Sequence, residues 1–146
     1  MPQRSAFYVY RDDIAETIHA GFTDNSYKWA GGGYLSNTED LARFASSLLT
    51  PGFLSRESLA LMFTPQRLSD GQPAATGGAP VGIGWRVDQD GEGRPRFHHG
   101  GSLTGGGAIV LALRNEQVVV AIATNQLPRP TEMMANRIAA LFARVR

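Results

Sequence analysis

The sequence predicts an α+β domain, a small antiparallel sheet of about three to five strands flanked by helices. Three observations predict it. Apolar residues fall at helical spacing in the stretch after Ser36 and again after Thr131, while Ile83, Trp85 and Val87 alternate with period two. Two continuous apolar runs, residues 108–113 and 118–124, are joined by Arg114, Asn115, Glu116 and Gln117, as in a hairpin covered on both faces.

Taken in order, residues 1–23 carry the weakest pattern. Phe7, Tyr8, Val9 and Tyr10 predict a short strand, and residues 12–19 a helical or loop stretch. Residues 24–35 mix turn formers, aromatics and the run Gly31-Gly32-Gly33, which predicts an irregular segment packed against something else. Ser36 with Glu39 three residues later has the form of a capping box, and Leu41, Phe44, Ala45, Leu48 and Leu49 then share a helical face until Pro51-Gly52. Ser55 is positioned to cap a second, shorter helix with Leu59, Met62 and Phe63 apolar, ending at Thr64-Pro65.

Residues 68–80, rich in Gly, Pro, Ala and Ser, predict an exposed loop. The period-two strand around Trp85 should turn at residues 88–93 and return over residues 94–99. Gly105, Gly106 and Gly107 predict a bend entering the next strand. Thr131 is expected to cap a last helix whose Met134, Ile138, Leu141, Phe142 and Val145 form one stripe across the sheet.

The 146 residues are enough for a single domain that buries roughly two thirds of its unfolded surface. Without cysteine there is no disulfide framework, thiolate zinc site or cysteine nucleophile, and the redox compartment stays open. A net charge of +1 with scattered charges gives no footprint for nucleic acid. The start has no apolar core of signal-peptide length and no apolar run is long enough to span a bilayer, so the expected chain is soluble and carries no address. His19 is the only histidine besides His98 and His99, and no carboxylate cluster stands at ligand spacing, so neither a metal nor another cofactor is expected. Gly31 to Gly33 lack the following Gly-Lys-Ser/Thr of a phosphate loop. Trp29 and Trp85 are expected to line a core or a cleft, and Met134 to be ordinary helix core.

Chemistry concentrates in Phe97-His98-His99-Gly100-Gly101-Ser102-Leu103-Thr104. A proton carrier sits here at a strand edge, followed by glycines that leave the backbone open to a substrate lying alongside.

Tyr27 to Ser36, the helix containing Glu39-Asp40-Leu41-Ala42-Arg43-Phe44, Gly82-Ile83-Gly84-Trp85, His99-Gly100-Gly101 and Ala123-Thr124-Asn125 together resemble the C-terminal part of the serine β-lactamase-related family. That family includes class C β-lactamases, D-alanyl-D-alanine carboxypeptidases, related esterases and LACTB-type proteins. The resemblance covers about residues 24–146, and residues 24–35 are similar to the LACTB-type branch in particular. It implies a partial β-lactamase/penicillin-binding-protein-like fold in one domain, residues 1–146. It also implies that His99 holds the position of the strand lysine or histidine, Gly101 the small position that admits substrate, and Ser102 a backbone N–H of the oxyanion hole.

The family's other elements are missing. The only lysine is Lys28, and the residue three before it is Asn25, so no Ser-x-x-Lys exists; none of Tyr8, Tyr10, Tyr27 or Tyr34 begins a Tyr-x-Asn. The resemblance therefore implies a fragment or truncated member that is silent alone, with a small-molecule or peptide substrate only in the full-length relative; localisation stays unknown, a periplasmic or secreted parent being compatible with the family. The alternatives are a non-catalytic binding or assembly module on the same scaffold, and an esterase using Ser102 beside His99. Adjacent strand residues point to opposite faces, which argues against that last pairing. The family sheet also borrows two N-terminal strands that border the last hairpin strand. Without them residues 118–124 should either self-associate through an exposed apolar edge or be covered by residues 1–23.

Overall fold

A computed structural model describes residues 4–144. The chain runs β1 (Tyr8–Arg11), β2 (Glu16–His19), a single 3-10 turn at Trp29–Gly31, α1 (Thr38–Ser46), α2 (Arg56–Met62), β3 (Ala75–Thr76), β4 (Ala79–Pro80), β5 (Arg86–Gln89), β6 (Pro95–Leu103), β7 (Gly106–Leu113), β8 (Val118–Thr124), β9 (Gln126–Leu127) and α3 (Thr131–Ala143). The expected α+β class is present. Its centre is a four-stranded antiparallel sheet in the order β5-β6-β7-β8.

Strand alternation divides the sheet into two faces, each with its own core. On the front, Phe97 of β6 stands opposite Ala112 of β7, and both pack with Val110, Trp85 and the buried side chains Ala45, Leu48, Leu59 and Phe63 from the α1 and α2 region. On the rear, Ile109, Leu111 and Leu113 of β7 with Val118 and Val120 of β8 pack on Ala135 and Ala139 of α3. Both faces of β7 are therefore buried, which is why its sequence is an uninterrupted apolar run.

Several local expectations hold and several shift. Ser55 caps α2, accepting the Ser58 backbone N–H. The cap of α1 is Asn37 and not Ser36: its Oδ1 accepts the Asp40 N–H at 2.9 Å, and Glu39 pairs instead with Arg43 one turn along. Thr131 is the first residue inside α3, with Pro130 at the cap position, where its fixed φ suits the approach to a helix. The α3 face that meets the sheet is Ala135, Ile138 and Ala139, while Met134, Leu141 and Phe142 are exposed; small side chains let the helix axis lie close to β7 and β8. Val145 of the expected stripe lies outside the described residues.

The alternating segment begins as a strand only at Arg86, and Asp88 belongs to β5, so the turn is at residues 90–94. Gly82 abuts the carbonyl oxygen of Met62, and Gly84 takes φ +78°, which bends the chain before β5 and seats Trp85 in the front core. Within the expected loop 68–80, β3 and β4 form a two-residue ladder around Gly77 and Gly78, both at positive φ as a tight hairpin turn requires. Trp29 is largely exposed and lines no core among the described residues.

Residues 12–19 are not helical. They contribute β2, which pairs antiparallel with β1, and β1 pairs in parallel with β9. This three-stranded sheet sits at the β6–β7 turn, where Cβ atoms at Gly105 and Gly106 would collide with Phe7, Tyr8 and Ala20. Gly105 and Gly106 thus make room for the N-terminal hairpin as well as bending the chain, while Gly107 sits against Leu127 and Thr124. That hairpin extends from the end of β8 onto β9, so the described part of residues 1–23 does not cover the β8 edge, which pairs with β7 alone.

Candidate functional site

The three sequence-predicted site residues all lie on β6 and separate by face. His99 stands opposite Val110 and Gly101 opposite Ala108, both on the front face two and four residues beyond Phe97. Ser102 is on the rear, among the residues that line a cavity there. A side-chain partnership between His99 and Ser102 is therefore not built. The Ser102 backbone amide is unaffected by this separation, since the peptide lies in the strand and not on either face.

On the front, His99 is exposed and has no hydrogen-bond or charge partner among the described residues. A Cβ placed at Gly101 would meet nothing within 4 Å, so the space beside this strand is open. The pairing of β5 with β6 ends at Arg86 opposite His98. From His99 onward β6 is hydrogen-bonded to β7 alone, which leaves one side of its backbone free to pair with an extended ligand. The irregular segment 24–35 approaches the end of this edge, with Gly32 against Leu103. Tyr27, Trp29, Tyr34 and Phe44 are half or more exposed, as is Ile83 to nearly the same degree. This is more aromatic surface than a solvated face needs.

The rear face holds a charged cluster that the sequence reading passed over. Arg96 is buried and grips Asp88 with two hydrogen bonds, Nε to Oδ1 at 2.6 Å and Nη2 to Oδ2 at 3.0 Å, while its Nη1 donates to Asn136 of α3. His98, 1% exposed, lies between Asp88 at 3.5 Å and Glu132 at 3.9 Å, yet neither ring nitrogen makes a hydrogen bond. Burial pushes the His98 imidazole below its usual range and the neighbouring Arg96 cation pushes the same way, against the opposing pull of Asp88 and Glu132. For Asp88, burial works against the charge, but the bonds and charge of Arg96 outweigh it, and the carboxyl sits below its ordinary range. The signal for this cluster was present in the alternation itself: if His99 faces the front, Arg96 and His98 must share the rear.

A pH dependence follows from His98. Its native form resists protonation that the unfolded chain accepts at about pH 6.5, so the unfolded state gains protons first and stability falls as pH drops below that value. The groups facing the ring are Asp88 from β5, Arg96 from β6 and Glu132 from α3. Urea midpoints measured from pH 7.5 to 5.0 are expected to decline in the parent and to flatten in His98→Gln; equal slopes in the two proteins would remove His98 as the cause.

The chain matches the Beta-lactamase family over residues 2–144. It is 36% identical to the human mitochondrial serine beta-lactamase-like protein LACTB, in an alignment covering 42% of this chain and 14% of that protein. Its fold is similar to that of an octameric penicillin-binding protein homologue from Pyrococcus abyssi, with TM-score 0.72 and 21% identity, over 94% of this chain and 30% of the other. It is likewise similar to a D-stereospecific amidohydrolase from Streptomyces, with TM-score 0.66 and 23% identity, over 86% of this chain and 36% of that one. The chain thus spans between about one seventh and just over one third of the length of these relatives.

Proposed function

Because the chain belongs to the β-lactamase family of serine hydrolases, we propose that it supplies the strand wall of an acyl-serine hydrolase site and is catalytically silent by itself. The observation that carries this reading is the front edge of β6. There His99 and the open position at Gly101 lie beside an unpaired stretch of backbone, while no Ser-x-x-Lys or Tyr-x-Asn exists in the 146 residues. In that role His99 would hold or pass a proton at the substrate, Gly101 would admit it to the strand, and the Ser102 N–H would help hold an oxyanion. A β-lactam, D-amino-acid peptide or ester would be the substrate of the complete site. Its nucleophile would come from a polypeptide segment outside this chain.

The test is direct. The chain is incubated with a fluorophosphonate probe and a chromogenic β-lactam, alongside Ser102→Ala and His99→Ala. No covalent labelling and no turnover are expected. Labelling that disappears in Ser102→Ala would overturn the silent-wall reading and reinstate a nucleophile within the chain.

The unpaired β8 edge favours a second reading, a module that assembles with copies of itself. Val118–Thr124 is apolar throughout except for its terminal threonine and carries no lysine or proline to blunt the edge. Light scattering is expected to show concentration-dependent dimers or larger species, weakened by Ala123→Lys on this strand. A monodisperse parent monomer whose β8 amides exchange freely would rule this reading out.

A further inference from the structure

We infer that the cavity on the rear face of β5 and β6 is a binding site for a small carboxylate. The cavity encloses about 490 Å³ and is walled by the Gly77–Gly78 turn, β5, β6 and the start of α3. It opens on the opposite side of the sheet from the His99 side chain, while Gly101 and Ser102 of the proposed wall also line it, so His99→Ala is the variant that separates the two readings.

Two observations point to a ligand. The first is His98, buried to 1% exposure and lining the cavity with both ring nitrogens lacking a hydrogen-bond partner. With Asp88 3.5 Å and Glu132 3.9 Å from its nitrogens, a neutral imidazole in that position still leaves one N–H donor and one acceptor without a well-formed hydrogen bond. The second is Arg86. It is paired in register directly opposite His98, also lines the cavity, and forms no hydrogen bond or ion pair among the described residues.

The sign of the ligand follows from what the other charges are already doing. Asp88 is held by both arms of Arg96, and Glu132 is a partly exposed carboxylate 3.8 Å from the same guanidinium. Arg86 is left as the uncommitted charge, with the His98 N–H and the Ser102 hydroxyl as further donors along the wall. A guanidinium fork engages a carboxylate through two parallel N–H···O bonds. The α3 N-terminus adds the same preference, since Thr131 and Glu132 line the cavity and the helix has no side-chain cap. Half-buried walls and a volume well above that of one water suit a molecule of a few heavy atoms, bound with millimolar affinity.

The experiment titrates the isotopically labelled full chain at pH 7 with succinate, replacing chloride at constant ionic strength. The His98 ring and the amides of Gly100 to Ser102 should shift and saturate. Arg86→Gln should weaken binding at least about tenfold without lowering the melting midpoint, and His99→Ala should leave it unchanged. No saturable shift up to about 50 mM, which bounds the free energy of binding near −1.8 kcal/mol, would overturn the proposal. Equal binding by Arg86→Gln would do the same. Inorganic phosphate binding as tightly as succinate would overturn the carboxylate assignment in favour of a general oxyanion site.

Discussion

Replacing Phe97 with alanine is expected to remove about 3–5 kcal/mol of stability, a large fraction of the roughly 5–15 kcal/mol that holds a domain folded. Phe97 is fully buried and sits at the junction of the front core. Its ring stacks on Phe63 at 4.3 Å and meets Trp85 edge-on at 4.8 Å between centroids. Truncation forfeits transfer energy and both ring contacts, and opens a cavity that neither the sheet nor Phe63 can close. Because Phe97 is two residues from His99 on the same face, the substitution also loosens the strand that carries the proposed wall. Urea unfolding followed by circular dichroism measures the effect, with Phe53→Ala, at an exposed position, expected to stay within about 0.5 kcal/mol. A loss below about 1 kcal/mol at Phe97 would mean that the front core contributes little to the stability of this chain.

The second large effect is expected at Arg96. Arg96→Ala removes the partner that keeps Asp88 ionised, leaving a carboxylate desolvated on one side and Asn136 without its donor. Breaking a buried ion pair from one side costs about 3–5 kcal/mol, and the partial exposure of Asp88 places this case at the low end. Removing both charges, as Arg96→Met with Asp88→Asn, should recover more than half of that loss. The sign of the pH dependence separates the two explanations. Asp88 has a lowered native pKa, so in the parent its contribution is present above about pH 3.9 and disappears as pH falls through the native value. In Arg96→Ala that contribution is gone, so the gap between variant and parent should narrow under acid conditions. A gap that stays constant from pH 7 to pH 3 would assign the loss to packing of the arginine stem instead.

Much of this molecule is legible in one dimension. The apolar runs of β7 and β8, the cap of α2 at Ser55 and the order of helices and strands all follow from spacing that any strand or helix must show. Errors cluster where two local signals compete. Ser36 and Asn37 are both good caps, and Asn37 takes the position by accepting the Asp40 N–H. Residues 12–19 have neither a strong helical stripe nor strong alternation, and they become β2 because β1 offers them a partner.

The candidate site divides in the same way. His99 and Gly101 could be read from the sequence, since a histidine and glycines on one strand are local facts. The role of Gly105 and Gly106 could not, because Phe7, Tyr8 and Ala20 reach them from about 85 to 100 residues away in the chain. Alternation places Arg96 and His98 together on the rear, but that Asp88 of β5 and Glu132 of α3 join them there could not be read from it.

By itself the sequence determined the α+β class, the periodicity of each main element and the absence of a serine nucleophile motif. Periodicity is a property of backbone pitch, and a missing residue is missing in any fold. Tertiary structure alone decided that α3 buries alanines rather than its larger side chains, and that β8 is an edge. Burial and strand pairing belong to pairs of distant segments, so they exist only once the sheet has assembled.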